Sequence, residues 1–142
     1  MAIDQNIKVT ADAVVLGYKQ GTSDQYLLLI QRKNEPFKDK WAFPGGFVED
    51  DEDLPYAAVR ELEEETGISV DVRMIKQLGA WGAPGRDPRG RTITVAFIME
   101  LDVDAHDIKA ADDAADVKWF SLKNLPLLAF DHNEILQEAL RE

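Results

Sequence analysis

Apolar and polar positions alternate along the chain in blocks of strand and helix length. Residues 7–17, IKVTADAVVLG, become almost continuously apolar in their second half, the pattern of a strand covered on both faces. Residues 26–31, YLLLIQ, repeat that pattern after a polar, glycine-containing turn at 19–25, so the two predict a hairpin. A polar loop at 32–40, broken by Pro36, leads into the compact stretch WAFPGG at 41–46. Pro44 favours an extended Phe43, and Gly45 and Gly46 permit backbone conformations and close approaches that side chains forbid.

The next block changes period. Leu54, Ala58, Val59 and Leu62 fall on one stripe at 100° per residue, which predicts a helix. Asp50, Asp51 and Asp53 are candidate N-caps, with a start near Asp53; Pro55 is tolerable in the first turn and Gly67 fits the C-cap. Residues 68–77 read as a strand continuing with an irregularity to Trp81. Then come a glycine, proline and arginine loop at 82–91, a long apolar strand at 92–101, an acidic connection at 102–116 and a short strand at 117–120. A turn or short helix spans 121–126, and Asp131 is positioned to cap a last helix at 132–141. This order predicts an α/β domain: a mixed sheet with helices on its faces.

Composition narrows the chemistry. At 142 residues, with 45% apolar and 30% charged residues, the chain suits one domain with a substantial core. It has no cysteine, which removes disulfides, thiolate metal sites and a cysteine nucleophile. The first residues lack a signal-peptide pattern, and no apolar run approaches a membrane span. A cytoplasmic protein without a membrane partner is expected. The formal net charge of −11 argues against nonspecific nucleic-acid binding.

Against that acidic background, one helical face stands out. Glu61, Glu64 and Glu65 occupy i, i+3 and i+4, beside the apolar stripe. Like charges at the edge of a core repel, so a compensating cation is expected, and oxygen ligands suit a hard ion such as Mg²⁺ or Mn²⁺. The Gly45–Gly46 turn could add a backbone carbonyl. Read alone, RELEEE would more simply be a solvated face. The flanks decide: Gly46, Glu52, Arg60, Glu61, Leu62, Glu64, Glu65, Gly67 and Ile68 fit G-x5-E-x7-R-E-(aliphatic)-x-E-E-x-G-(aliphatic) at every position.

That pattern resembles the Nudix box of the Nudix hydrolases. The resemblance implies a Nudix-type α/β/α sandwich with a mixed sheet, with Glu61, Glu64 and Glu65 binding metal together with Gly46. It implies that Arg60 orients a glutamate and that Glu52 pairs with Arg60. The general base is a box glutamate or an acid beyond the box; Asp112, Asp113 and Glu100 are the candidates there, with Asp113 preferred.

The loop GAPGRDPRGR holds Arg86, Arg89 and Arg91, planar donors suited to phosphate. Together with RKNEPFKDKWAFPGGFVE and LAFDH, it resembles the ADP-ribose pyrophosphatase subgroup over roughly residues 9–140. The implied partner is a small nucleoside diphosphate derivative, ADP-ribose above all, and the implied assembly a homodimer. Arg86 and Arg89 would bind phosphate or ribose, Trp81 or Phe43 would stack on adenine, and His132 would reach the ligand or merely pack. Trp41 and Trp119 read as core aromatics. Another Nudix substrate, such as a damaged nucleoside triphosphate, is an alternative. The same signature occurs in transcriptional regulators whose Nudix-like domain senses ADP-ribose, a reading expected to hold only if these residues belong to a longer protein.

Overall fold

The computed structural model describes residues 3–110 and 114–142. Its organisation follows from one strand. β1 (Lys8–Tyr18) is buried from Thr10 to Gly17 because both its edges and both its faces are occupied. One edge runs parallel to β6 (Thr92–Asp102) along its whole length. The other edge is shared. β2 (Gln25–Arg32) pairs with it only at Leu16–Tyr18, and β4 (Gly45–Phe47) takes over at Thr10–Asp12. After that short contact β2 pairs with β3 (Trp41–Ala42) on the same side and with β7 (Ala114–Ser121) on its other side. β5 (Lys76–Trp81) completes the mixed sheet against β6.

Alternation along the strands divides the core into two faces. Ala11, Ala13 and Val15 of β1, with Val95, Phe97 and Met99 of β6, pack beneath α1 (Leu54–Thr66) through Ala57, Ala58 and Leu62. Val14, Leu16, Leu27, Leu29 and Ala96 face the other way, onto Ile135, Leu136 and Ala139 of α2 (His132–Ala139). Helix, sheet and helix form the α/β/α sandwich that the resemblance implies. No helix among the described residues is long and apolar enough to cross a membrane.

Several local expectations change on folding. The hairpin of β1 and β2 forms only at its closed end. Beyond it the strands separate, and the WAFPGG stretch fills the gap: Ala13 N–H donates to the Pro44 carbonyl at 2.8 Å and Arg32 N–H to Lys40 at 2.8 Å. The strand expected from residue 68 starts at Lys76. Before it, the Asp71 carboxylate accepts from Arg73 N–H at 2.8 Å and starts a 3-10 turn, Val72–Met74. The anticipated irregularity is a register shift between Gln77 and Gly79. α1 is capped by Asp53 and ended by Gly67, whose φ of 81° favours glycine. Val59 is only partly buried, while Glu65 and Thr66 take buried positions. Asp131 makes no side-chain cap for α2; its carboxylate is engaged elsewhere.

Candidate active site

Where β1 and β2 part, the sheet is breached, and a cavity of about 420 Å³ opens. It is lined from both faces: Glu61 and Glu65 of α1 on one side, Asp12 and His132 on the other, with Gly45 and Gly46 between them. The row Asp12, Val14, Leu16 that packs toward α2 turns polar at its cavity end, where Thr94 donates to Asp12 at 2.6 Å.

The glycine turn meets the glutamates through two separate devices. Ala13 N–H bonds Pro44 and Val48 N–H bonds Val9, so alternation keeps Gly46 in the ladder opposite Ala11 and turns the peptide groups of Gly45 outward. Gly45 N–H accordingly donates to the Glu65 carboxylate at 3.3 Å. Gly46 contributes space, because a Cβ there would lie 2.6 Å from the Glu61 carboxylate. Gly45 likewise leaves no room for one against Asp12 and the Ala11 carbonyl. The backbone carbonyl turned toward the glutamates is thus that of Gly45, one residue before the expected Gly46.

Arg60 organises the rim. Its guanidinium donates to Glu52 at 2.6 and 2.8 Å, to Glu61 at 2.9 Å, to Glu64 at 3.2 Å and to the Phe47 carbonyl at 3.2 Å. The Arg60 bond holds Glu52 below the usual carboxylate range. Deeper in, burial and then the charge of Glu61 push Glu65, 7% exposed, well above that range. Burial raises Glu61 as well, although Arg60 opposes the shift.

Glu64 faces Arg60 from the rim and does not line the cavity. Among the described residues no three carboxylates or imidazoles converge as a closed metal cluster. Two do meet: half-buried Glu61 and buried Glu65, beside an outward-turned carbonyl, with the charge of Glu61 opposing ionisation of Glu65. Hard oxygen donors whose negative charge Arg60 offsets at Glu61 alone fit a divalent cation.

The arginine loop is built differently. Arg86, whose side chain is 4% exposed, donates to Asp131 at 2.8 and 2.6 Å. This pairing occupies the carboxylate expected to cap α2. Arg89 makes a similar fork onto buried Asp87, which also accepts the Arg89 backbone N–H at 2.9 Å. Burial works to raise Asp87, but Arg89 outweighs it and the net shift is downward. Arg91 donates to the Gly82 carbonyl at 2.5 Å. Arg86 and Arg89 do line the cavity, yet each already holds a carboxylate.

The remaining expected residues divide. Phe43 lines the cavity and stacks on His132, 4.5 Å between centroids and 15° between planes. His132 Nδ1 accepts the Phe43 backbone N–H at 3.2 Å, and its Nε2 lies 3.6 Å from Asp12. Burial opposes ionisation of Asp12, but His132, Thr94 and Arg86 win and lower its pKa. Trp81 is not at the cavity; it packs on the apolar cluster beneath α2. Glu100 is exposed on β6, four residues beyond Ala96, the register partner of Asp12, or about 13 Å along the strand. Asp112 and Asp113 lie outside the described residues. Sequence reasoning missed Asp12, Arg32 and Phe130 as lining residues. Asp12 left a signal as a lone acid inside an apolar strand, while Arg32 and Phe130 lie within the stretches RKNEPFKDKWAFPGGFVE and LAFDH that carry the family resemblance.

A breached mixed sheet between two helices, with a glycine turn set against Glu61 and Glu65, defines a Nudix fold. The chain matches the NUDIX domain family over residues 7–141 and belongs to it. It is 49% identical over 118 residues to an ADP-ribose pyrophosphatase of Methanocaldococcus jannaschii, covering 83% of this chain and 68% of that protein. It is 38% identical over 135 residues to the ADPR responsive transcriptional repressor NtrR of Acinetobacter baylyi, covering 92% of this chain and 52% of the repressor. Among solved structures, the NUDIX domain of Shewanella oneidensis NrtR complexed with ADP ribose superimposes with a TM-score of 0.87 and 31% identity, over 97% of this chain and 89% of that one.

Proposed function

We propose that this Nudix domain hydrolyses the diphosphate of a nucleoside diphosphate derivative, with ADP-ribose as substrate and AMP and ribose 5-phosphate as products. The observation that carries the reading is the Glu61–Glu65 pair against Gly45, with Glu65 buried, in a cavity sized for a small ligand. The archaeal pyrophosphatase and the ADP-ribose-bound neighbour support the choice of substrate. Glu61, Glu65 and the Gly45 carbonyl would hold Mg²⁺ or Mn²⁺, with Glu64 available from the same helical face. A bound ion supplies neutralisation of the diphosphate charge. The protein's own work is positional. Gly45 N–H orients Glu65, Arg60 fixes Glu61, and the stack of Phe43 on His132 anchors the turn that carries both glycines.

The chain's charge supports a domain without nucleic-acid contacts of its own, and the family resemblance supports a homodimer in the cytoplasm. Incubation with ADP-ribose and Mg²⁺ should release AMP; absence of turnover with both Mg²⁺ and Mn²⁺ rejects the reading. The likeness to a repressor of which the chain spans 52% favours one alternative, an ADP-ribose-sensing domain. That alternative requires tight ADP-ribose binding without hydrolysis.

A further inference from the structure

One carboxylate of the cavity has an oxygen left over. Asp12 is 6% exposed and lines the cavity. Its Oδ2 takes the Thr94 hydroxyl at 2.6 Å and faces His132 Nε2 at 3.6 Å. Because His132 Nδ1 accepts the Phe43 N–H, Nε2 carries the imidazole proton. Oδ1 takes no donor among the described residues. Nor is it sealed: among those residues only the Trp119 indole nitrogen is both unpaired and closed off from solvent. Gly45, the register partner of Asp12, keeps Oδ1 open, since a Cβ there would collide with it.

Stability does not require a charge at this position. Thr94 has a second acceptor in the Thr10 carbonyl at 3.4 Å, and burying a carboxylate with an oxygen unbonded is costly. The charges around Asp12 do not cancel it. Arg86 favours its ionised form but forks onto Asp131. Arg32 is shared among Asp12, Glu65 and Asp87, and Glu65 and Asp12 oppose each other. Burial opposes ionisation of Asp12 and its partners prevail, so Oδ1 is an acceptor alone.

An ionised oxygen facing a cavity repels phosphate, whose oxygens only accept, and welcomes a neutral donor. On a nucleoside diphosphate derivative those donors are sugar hydroxyls and base amino groups. Gly45 adjoins both Asp12 and Glu65, which places Oδ1 beside the centre proposed to hold the diphosphate. Sugars flank a diphosphate directly, and the base lies beyond one of them. We infer that Asp12 is a specificity-determining residue whose Oδ1 accepts a hydroxyl of a sugar flanking the diphosphate. The inference rests on the proposed function for its ligand class.

Calorimetry on the intact protein with Mg²⁺ tests this with uncleavable α,β-methylene ADP-ribose and two analogues of it. One analogue lacks the hydroxyls of the adenosine ribose and the other those of the terminal ribose. The wild type should bind one of the two at least about tenfold more weakly than the parent, and which one names the sugar. Asp12→Asn keeps an acceptor for Thr94 and puts an amide N–H where Oδ1 stood. It should bind the parent at least about tenfold more weakly, and the discrimination against that analogue should shrink to about twofold. Its affinity for Mn²⁺ alone should fall by less than its affinity for the parent. A wild type indifferent to both deletions overturns the inference, whether or not the variant folds. So does an Asp12→Asn loss equal for all three ligands, or one matched by the loss of Mn²⁺ affinity. A wild type that binds none of the three overturns it together with the ADP-ribose reading. Discrimination by a wild type that releases no AMP from ADP-ribose rejects hydrolysis alone and leaves Asp12 assigned.

Discussion

The two walls of the cavity treat charge in opposite ways. On the α1 side, half-buried Glu61 and buried Glu65 stand together, and the Arg60 guanidinium bonds Glu61 but not Glu65. On the loop side, Arg86 and Arg89 each meet a carboxylate in a two-pronged bond. The first arrangement leaves charge to be satisfied from outside the chain. The second spends charge on internal order. Charged residues lining one cavity therefore mean different things, and their partners decide which.

The sharpest way to break this contrast is to remove charge from each wall in turn. Glu65→Gln should lower kcat by about 10²-fold or more while the fold survives. The metal-free protein should melt higher than the wild type, because a repelling carboxylate is gone. Near-native turnover would sink the assignment of Glu65. Arg86→Ala should instead destabilise the domain by about 3–5 kcal/mol in denaturant unfolding, since the half-buried Asp131 loses its partner. Replacing both partners, Arg86→Met with Asp131→Leu, should recover most of that loss. If the single variant unfolds like the wild type, the loop is not held by this pair.

Smaller effects sharpen the same contrast. Arg89→Gln should cost about 1 kcal/mol or less, because its side chain is 35% exposed and Asp87 keeps a backbone donor. The two walls should also respond to pH with opposite sign. Glu65 is raised in the fold, so the folded state holds its proton more tightly and stability falls as pH rises from the unfolded value near 4.3. Asp87 is lowered, so its contribution is complete above about 3.9 and is lost as pH falls below that. Melting temperature in EDTA should rise from pH 8 towards 5 and then drop below 4. A flat profile above pH 5 would show that the glutamate pair is not under tension.

What could be read in advance followed one rule: contacts set by local spacing were legible and contacts set by topology were not. The helix with its Asp53 and Gly67 ends and the face carrying Glu61 and Glu65 lie within a few turns of one another, and the Glu52–Arg60 pair implied by the family resemblance lies in the same stretch. The hairpin was legible only at its closed end, because nothing local announces that WAFPGG will enter between two strands. Asp131 looked like a cap because its true partner, Arg86, is 45 residues away. Trp81 looked available for stacking until the register of β5 on β6 turned it onto the cluster beneath α2. Phe130 and Arg32 belong together only because β2 and the approach to α2 meet at the breach.

The parallel pairing of β1 with β6 carries a consequence for the order of assembly. Thr10 and Thr94 touch across 84 residues of chain, and that long join supplies the central strand with its full-length neighbour. During synthesis, α1 leaves the ribosome well before the sheet that will bury it has both halves. The glutamate-bearing helix therefore waits, exposed on its apolar stripe, until residue 102 has emerged. Long-range parallel joins of this kind close slowly. Nascent chains halted before β6 should thus remain protease-sensitive throughout, and resistance should appear abruptly once that strand is free to dock.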